Sequence, residues 1–201
     1  MDKREIYNHF AEIFKQILQD EDKKEWIEYP ASSETFVFSP TITICSGVTR
    51  CAVIDKNFDW IVKFDMAEEG YCEREVELYD AAESYGCADC LAPVMYVGRY
   101  YAENGYYWDL YGYKKACCGY HIHSYDNESV KCFAGSPLTE RNGCIAADLI
   151  ENYGIEMFRC LNRFCEDNDV NDIHCGNVGY IAGKLVLIDY AGYHDGSEED
   201  M

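Results

Sequence analysis

The sequence is short of positive charge. Seventeen lysines and arginines stand against 37 aspartates and glutamates, a formal net charge of −20 at pH 7 over 201 residues. A nucleic-acid partner needs a basic stripe to neutralise its phosphates, and this chain offers none, which excludes that class of partner. An anionic membrane surface would not attract it either. Long apolar runs are also missing, and no stretch approaches the ~20 apolar residues of a membrane-spanning helix. The first residues lack the apolar segment of a secretory signal, since Met1 to Asp20 alternates charge and hydrophobe at helical spacing. That absence predicts a cytoplasmic protein whose twelve cysteines are reduced thiols rather than a disulfide framework. Cys87-Ala88-Asp89-Cys90 has CxxC spacing, but no second CxxC or suitably spaced Cys/His pair accompanies it. We therefore read these cysteines, and the adjacent pair Cys117-Cys118, as small hydrophobes rather than a redox or zinc site.

What is present is enough for a folded core. Hydrophobic residues make up 48% of the chain, and its length suits one domain or two small lobes sharing a cleft. Ile6, Phe10, Ile13, Phe14, Ile17 and Leu18 fall on one face of a helix over residues 2–19. A charged break follows at residues 20–24. From Thr35 the apolar period changes to that of strands, with runs at 35–38, 41–45, 51–54 and 60–64 separated by Ser46-Gly47 and by Lys56-Asn57-Phe58-Asp59. This predicts an antiparallel meander. An acidic helix over residues 73–83 comes next, with Gly86 as its C-cap. Two further strands, 92–99 and 106–113, are joined by Glu103-Asn104-Gly105 as a hairpin turn. Residues 119–137 show little periodicity, and His121 and His123 read as ordinary loop histidines for want of a third metal ligand. The longest helical tract spans 139–167, with Gly154 positioned to kink or divide it.

The chemistry concentrates near the carboxy end. Asp172-Ile173-His174-Cys175-Gly176-Asn177 is followed, after an apolar strand-like run, by Ile188-Asp189-Tyr190. An aspartate, an asparagine and a second aspartate on two tight loops form a set of hard oxygen donors suited to a divalent metal and a phosphate. The first run resembles the catalytic loop of the protein kinase-like superfamily, in the Asp-Leu-His-x-Gly-Asn form of small-molecule phosphotransferases. The triplet around Asp189 is similar to that family's metal-binding aspartate.

Residue by residue, the resemblance implies that Asp172 is the catalytic aspartate and that Asn177 and Asp189 hold Mg²⁺. Ile61-Val62-Lys63-Phe64 resembles the strand whose lysine grips the phosphates of ATP. The acidic helix matches the one whose glutamate orients that lysine; Glu75 is the choice, with Glu73 and Glu77 also open because spacing leaves the register undetermined. Gly47 stands where the nucleotide-covering loop belongs, and residues after Tyr113 occupy the hinge position. The implied fold is α+β: a five-stranded antiparallel N-lobe sheet with a truncated, mainly helical C-lobe. The corresponding division is 1–30 for the N-terminal helix and linker, 31–113 and 114–193 for the lobes, and 194–201 for an acidic tail. The ordered arrival of strand lysine, acidic helix, strand pair, long helix and Asp-Asn-Asp loop argues against coincidence.

The sequence also departs from that pattern. Val170 and Asn171 replace the loop's leading His and Arg, the covering loop holds only Ser46-Gly47, and twelve residues follow Asp189, too few for an activation segment. Two functions follow as expectations. One is transfer of the ATP γ-phosphate to a hydroxyl acceptor with Mg²⁺. The other is a pseudokinase that acts as a protein-binding module.

Overall fold

The computed structural model describes residues 2–66, 70–125, 128–140 and 143–191. The expected acidic tail lies outside them. The described chain is α+β, with seven α-helices, a six-stranded antiparallel sheet and a two-stranded hairpin. It divides into two units, one formed by Met1–Glu77 with Pro93–Lys115 and the other by Leu78–Ala92 with Ala116–Met201.

The first unit opens with helix α1 (Lys3–Leu18), whose first turn is closed by the Asp2 side chain accepting from the Arg4 N–H. Ile6, Phe10, Ile13, Phe14 and Ile17 recur at spacings of three and four and are all buried. Withdrawing each from water contributes about 1.5–3 kcal/mol. The short helix α2 (Glu25–Glu28) follows, then the meander β1 (Thr35–Val37), β2 (Ile42–Ser46), β3 (Arg50–Asp55) and β4 (Trp60–Asp65). After helix α3 (Tyr71–Tyr85) come β5 (Val94–Tyr101) and β6 (Tyr107–Lys114). The sheet order is β1-β2-β3-β4-β6-β5, so the last strand in sequence sits inside the sheet.

Six strands form where five were expected, which corrects the strand count. The count of five came from the resemblance; the six strand runs read along the chain all join the sheet, with β1 at its edge through the pairings Thr35 to Cys45, Phe36 to Ile44 and Val37 to Thr43. The three residues of β1 form a short exposed edge of the kind that limits pairing with other chains.

Side chains alternate strictly between buried and half-buried along β2, β3 and β4. Cys51 and Val53 on β3, and Trp60, Val62 and Phe64 on β4, join the α1 residues in one core. Arg50, Ala52 and Ile54, with Ile61, Lys63 and Asp65, are the alternate residues of the same strands. One register shift lies in the outer pair, between Tyr96 and Gly98. Gly98 has φ +151, and a Cβ there would lie 2.9 Å from the Tyr7 ring of α1, so the close approach of helix to strand requires glycine.

In the second unit a 3-10 turn at Ala88–Cys90 is followed by helices α4 (Glu128–Lys131), α5 (Pro137–Glu140), α6 (Gly143–Tyr153) and α7 (Ile155–Asp167), then the hairpin β7 (Val178–Ile181) and β8 (Lys184–Leu187). Gly154 divides α6 from α7 at φ +83, a conformation costly for any residue with a Cβ. Leu138, Ile145, Leu149, Phe158, Leu161 and Phe164 are buried on these helices, as are Leu185 and Leu187 on the hairpin. The hairpin is tied to its unit by hydrogen bonds: the Leu185 N–H donates to Asn152 Oδ1 at 2.7 Å, and the Ala92 N–H donates to the Leu187 carbonyl at 2.8 Å. No helix among the described residues is long and apolar enough to cross a membrane.

Candidate functional site

The residues singled out from the sequence fall into two groups. The first is built on β3, β4 and α3. Lys63 lies in the middle of β4, paired with Ala52 on one side and Tyr111 on the other. Its ammonium is 4.0 Å from Glu75 Oε2 and stands 4.5 Å from the centroid of the Tyr113 ring. Of the three glutamates considered, Glu73 and Glu77 are exposed, whereas Glu75 is fully buried. Cys72, Glu75, Leu78 and Ala82 form the buried stripe of α3, and Glu75 is its one charged member. A stronger partner occupies the same carboxylate: Arg50, the first residue of β3, brings Nη1 to 2.9 Å from Glu75 Oε2. Sequence reasoning missed Arg50, because a cation next to a hairpin turn reads as solvated.

The surroundings of this group are polar and partly to fully buried. Asp65 accepts the backbone N–H of Cys72 at 3.2 Å, which fastens the start of α3 to the end of β4. Burial raises the Asp65 carboxyl above the usual carboxylate range, opposed by that N–H and by the charge of Arg50. Burial likewise holds the Tyr113 hydroxyl well above the usual tyrosine range, and the Glu75 charge adds to the effect. The Arg50 guanidinium lies 5.8 Å from the centroid of the Tyr71 ring.

The second group is the loop between α7 and β7. Buried Val170 and Ile173 anchor it, and the Val170 N–H donates to the Cys165 carbonyl at 2.9 Å. Val170, where the resemblance would place a histidine, thus serves as an apolar anchor. Asn177 Nδ2 donates to the Asp172 carbonyl at 2.8 Å and to Asp172 Oδ2 at 3.2 Å, which brings two of the expected residues together. The Asn177 carbonyl accepts the Ile188 N–H at 3.0 Å, joining the loop to the residue before Asp189. His174 closes the turn by accepting the Gly176 N–H at 3.0 Å through Nδ1, and its Nε2 is 3.6 Å from Asp172 Oδ1. Asp172 is 39% exposed, enough for a substrate to reach it. Asp189 is partly buried just beyond β8.

Gly47 lies in the tight hairpin between β2 and β3, where its N–H donates to the Arg50 carbonyl at 2.7 Å. A Cβ at Gly47 would meet that carbonyl at 3.4 Å, ordinary contact, so this hairpin does not demand glycine. Elsewhere, His123 is more than a loop histidine. Asp148 of α6 receives the Tyr120 hydroxyl at 2.7 Å and lies 3.0 Å from His123 Nε2, and this pairing raises the histidine pKa. Cys87 and Cys90 are buried thiols pushed up to about 12, chiefly by burial, which makes them poor nucleophiles.

The second group carries hard oxygen donors of the type that magnesium takes. Among the described residues no cluster of three or more His, Cys, Asp or Glu side chains is arranged to enclose a metal by itself. Magnesium, however, commonly takes one or two protein oxygens and completes its shell with phosphate and water. Asn177, whose Nδ2 donates to Asp172, would offer its amide oxygen to such an ion, and Asp189 would offer a carboxylate. No protein-family model matches the chain, and a search of curated proteins finds no similar sequence.

Proposed function

We propose that this protein is a minimal member of the protein kinase-like superfamily, with its two-lobed fold, and that it transfers the γ-phosphate of ATP to a hydroxyl acceptor. The observation that carries the reading is the ion-paired Lys63 and Glu75, a strand cation and the one buried glutamate of an acidic helix, in the roles their positions imply. In this reading Lys63 grips the nucleotide phosphates and Glu75 restrains the lysine. Asp172 orients the acceptor hydroxyl and takes its proton, with Asn177 fixing the aspartate by two hydrogen bonds. Asn177 and Asp189 are the residues that would hold Mg²⁺, which when bound offsets the negative charge of the phosphates.

A second reading, a pseudokinase acting as a protein-binding module, draws on two features. The hairpin at Gly47 has no special need of glycine, and Glu75 lies closer to Arg50, at 2.9 Å, than to Lys63, at 4.0 Å. An acidic protein of net charge −20 suits a basic patch on such a partner.

Thermal unfolding with and without Mg-ATP separates the readings. Nucleotide at 100 times its dissociation constant adds about 2.7 kcal/mol to stability. The phosphotransferase should show that shift together with ATP turnover on a panel of small hydroxyl acceptors, and Asp189→Ala should abolish turnover. Full activity in Asp189→Ala would defeat the assignment, and no shift in the wild type would leave the binding module.

A further inference from the structure

The loop between α7 and β7 fixes the proton of one histidine ring. The Gly176 N–H donates to His174 Nδ1 at 3.0 Å, so Nδ1 is the acceptor of the ring and the neutral imidazole carries its proton on Nε2. Gly176 makes room for this turn, since a Cβ there would lie 2.8 Å from His174 Cε1 and 3.0 Å from Nδ1. The protonated Nε2 faces Asp172 Oδ1 at 3.6 Å, while Asn177 Nδ2 holds the other carboxylate oxygen, Oδ2, at 3.2 Å. A separation of 3.6 Å is too long for a hydrogen bond between the two groups. It does suit two groups that share one small oxygen, each about 2.8 Å from it. Solvent reaches both side chains, His174 at 48% exposure and Asp172 at 39%.

We infer that His174 Nε2–H and Asp172 Oδ1 form a donor–acceptor clamp on the hydroxyl that receives the phosphate: His174 donates to the hydroxyl oxygen while the O–H points at the aspartate. This rests on the phosphotransferase reading for the reaction and adds a substrate-binding residue to it. A hydroxyl accepts and donates at once, as the pair requires. Held this way it cannot swing its proton toward the phosphate, and it keeps a second lone pair for the attack. In the transfer the hydroxyl oxygen bonds to the γ-phosphorus, and the bond from that phosphorus to the β,γ-bridging oxygen breaks with its electron pair leaving on ADP. The hydroxyl proton passes to Asp172 Oδ1. His174 keeps its own proton throughout.

The test uses the full chain as wild type, His174→Phe, His174→Gln and Gly176→Ala. Nitrogen-15 NMR with the imidazole neutral reads its tautomer, and a crystal structure without substrate shows what lies between the two side chains. Turnover of Mg-ATP is followed with water, glycerol and glucose as hydroxyl acceptors. The wild type should carry the proton on Nε2 and hold one water oxygen within hydrogen-bond distance of both His174 Nε2 and Asp172 Oδ1. His174→Phe should lower kcat/KM for the best acceptor, or kcat where that is water, by about tenfold while leaving the KM for Mg-ATP within about twofold. His174→Gln, whose amide N–H has a similar reach, should recover most of that loss. Gly176→Ala keeps the imidazole but displaces it, so it should lower the same parameter and disturb the tautomer.

A proton on Nδ1, or no oxygen shared by the two atoms, overturns the inference whatever the turnover. A loss under about twofold in His174→Phe overturns it too. So do equal losses for acceptor and Mg-ATP, or no recovery in His174→Gln, because His174 would then only shape the loop. Should His174→Phe fail to fold, Gly176→Ala carries the kinetic arm, and full activity there counts against the inference. A wild type that neither binds nor turns over Mg-ATP defeats the phosphotransferase reading instead, and the tautomer and the shared oxygen then decide whether the clamp exists.

Discussion

Replacing Glu75 with alanine should be among the most damaging single changes in the first unit. The carboxylate is fully buried and Arg50 is 11% exposed, so the variant takes a carboxylate at 2.9 Å away from a largely buried guanidinium. Removing one member of a buried ion pair costs about 3–5 kcal/mol. The low end applies here, because Asp65 sits opposite Arg50 on the neighbouring strand and its charge already acts on the arginine. About 3 kcal/mol corresponds to a fall in melting temperature of at least about 12 °C for a unit of roughly 100 residues. The assay is urea unfolding followed by tryptophan emission, since Trp26, Trp60 and Trp108 all belong to the unit that contains Glu75. The double variant Arg50→Met/Glu75→Leu should lose much less than the two single changes added together, because apolar groups of similar volume replace both charges. A cost below about 1 kcal/mol for Glu75→Ala would refute the reasoning, since the carboxylate would then not be compensating a buried cation.

Two more outcomes follow from ionisation. Asp148 raises the pKa of His123, so the ion pair stabilises the protein fully below the ordinary histidine pKa and that stabilisation disappears as pH rises through the higher folded value. NMR titration of His123 should therefore show a lower midpoint in Asp148→Asn, and an unchanged midpoint would remove Asp148 as the cause. Thiol labelling under native conditions should reach exposed Cys117, Cys118, Cys132 and Cys175 first. Cys51, Cys87 and Cys90, buried and pushed up to about 12, should react only on unfolding, and rapid native labelling of any of these three would contradict their burial.

Periodicity made α1 and the strands of the first sheet readable from sequence, because each buries one face and repeats at its own interval. Gly86 and Gly154 were legible as helix punctuation for a different reason: both adopt positive φ, at +73 and +83. The choice of Glu75 over Glu73 and Glu77 had a signal too, since Cys72, Leu78 and Ala82 share a helical stripe with Glu75 and not with its neighbours. What stayed hidden depends on tertiary placement. Arg50 looks like any hairpin arginine until α3 brings a carboxylate to it. Asp148 and His123 lie 25 residues apart with no shared period. The strand run at 35–38 was legible, but that it pairs with β2 as the edge of the same sheet depends on tertiary placement.

The placement of β6 governs when the first unit can be completed during synthesis. Its neighbours β4 and β5 are made before it, but neither can bond to the other, because the strand that separates them emerges later. Trp60 waits more than fifty residues for Lys114, its partner across the ladder. Until the ribosome reaches that point, the nascent chain holds an amphipathic α1 and an unfinished meander with wetted Val62 and Phe64. Slow closure of this long loop, rather than helix formation, should set the pace of folding.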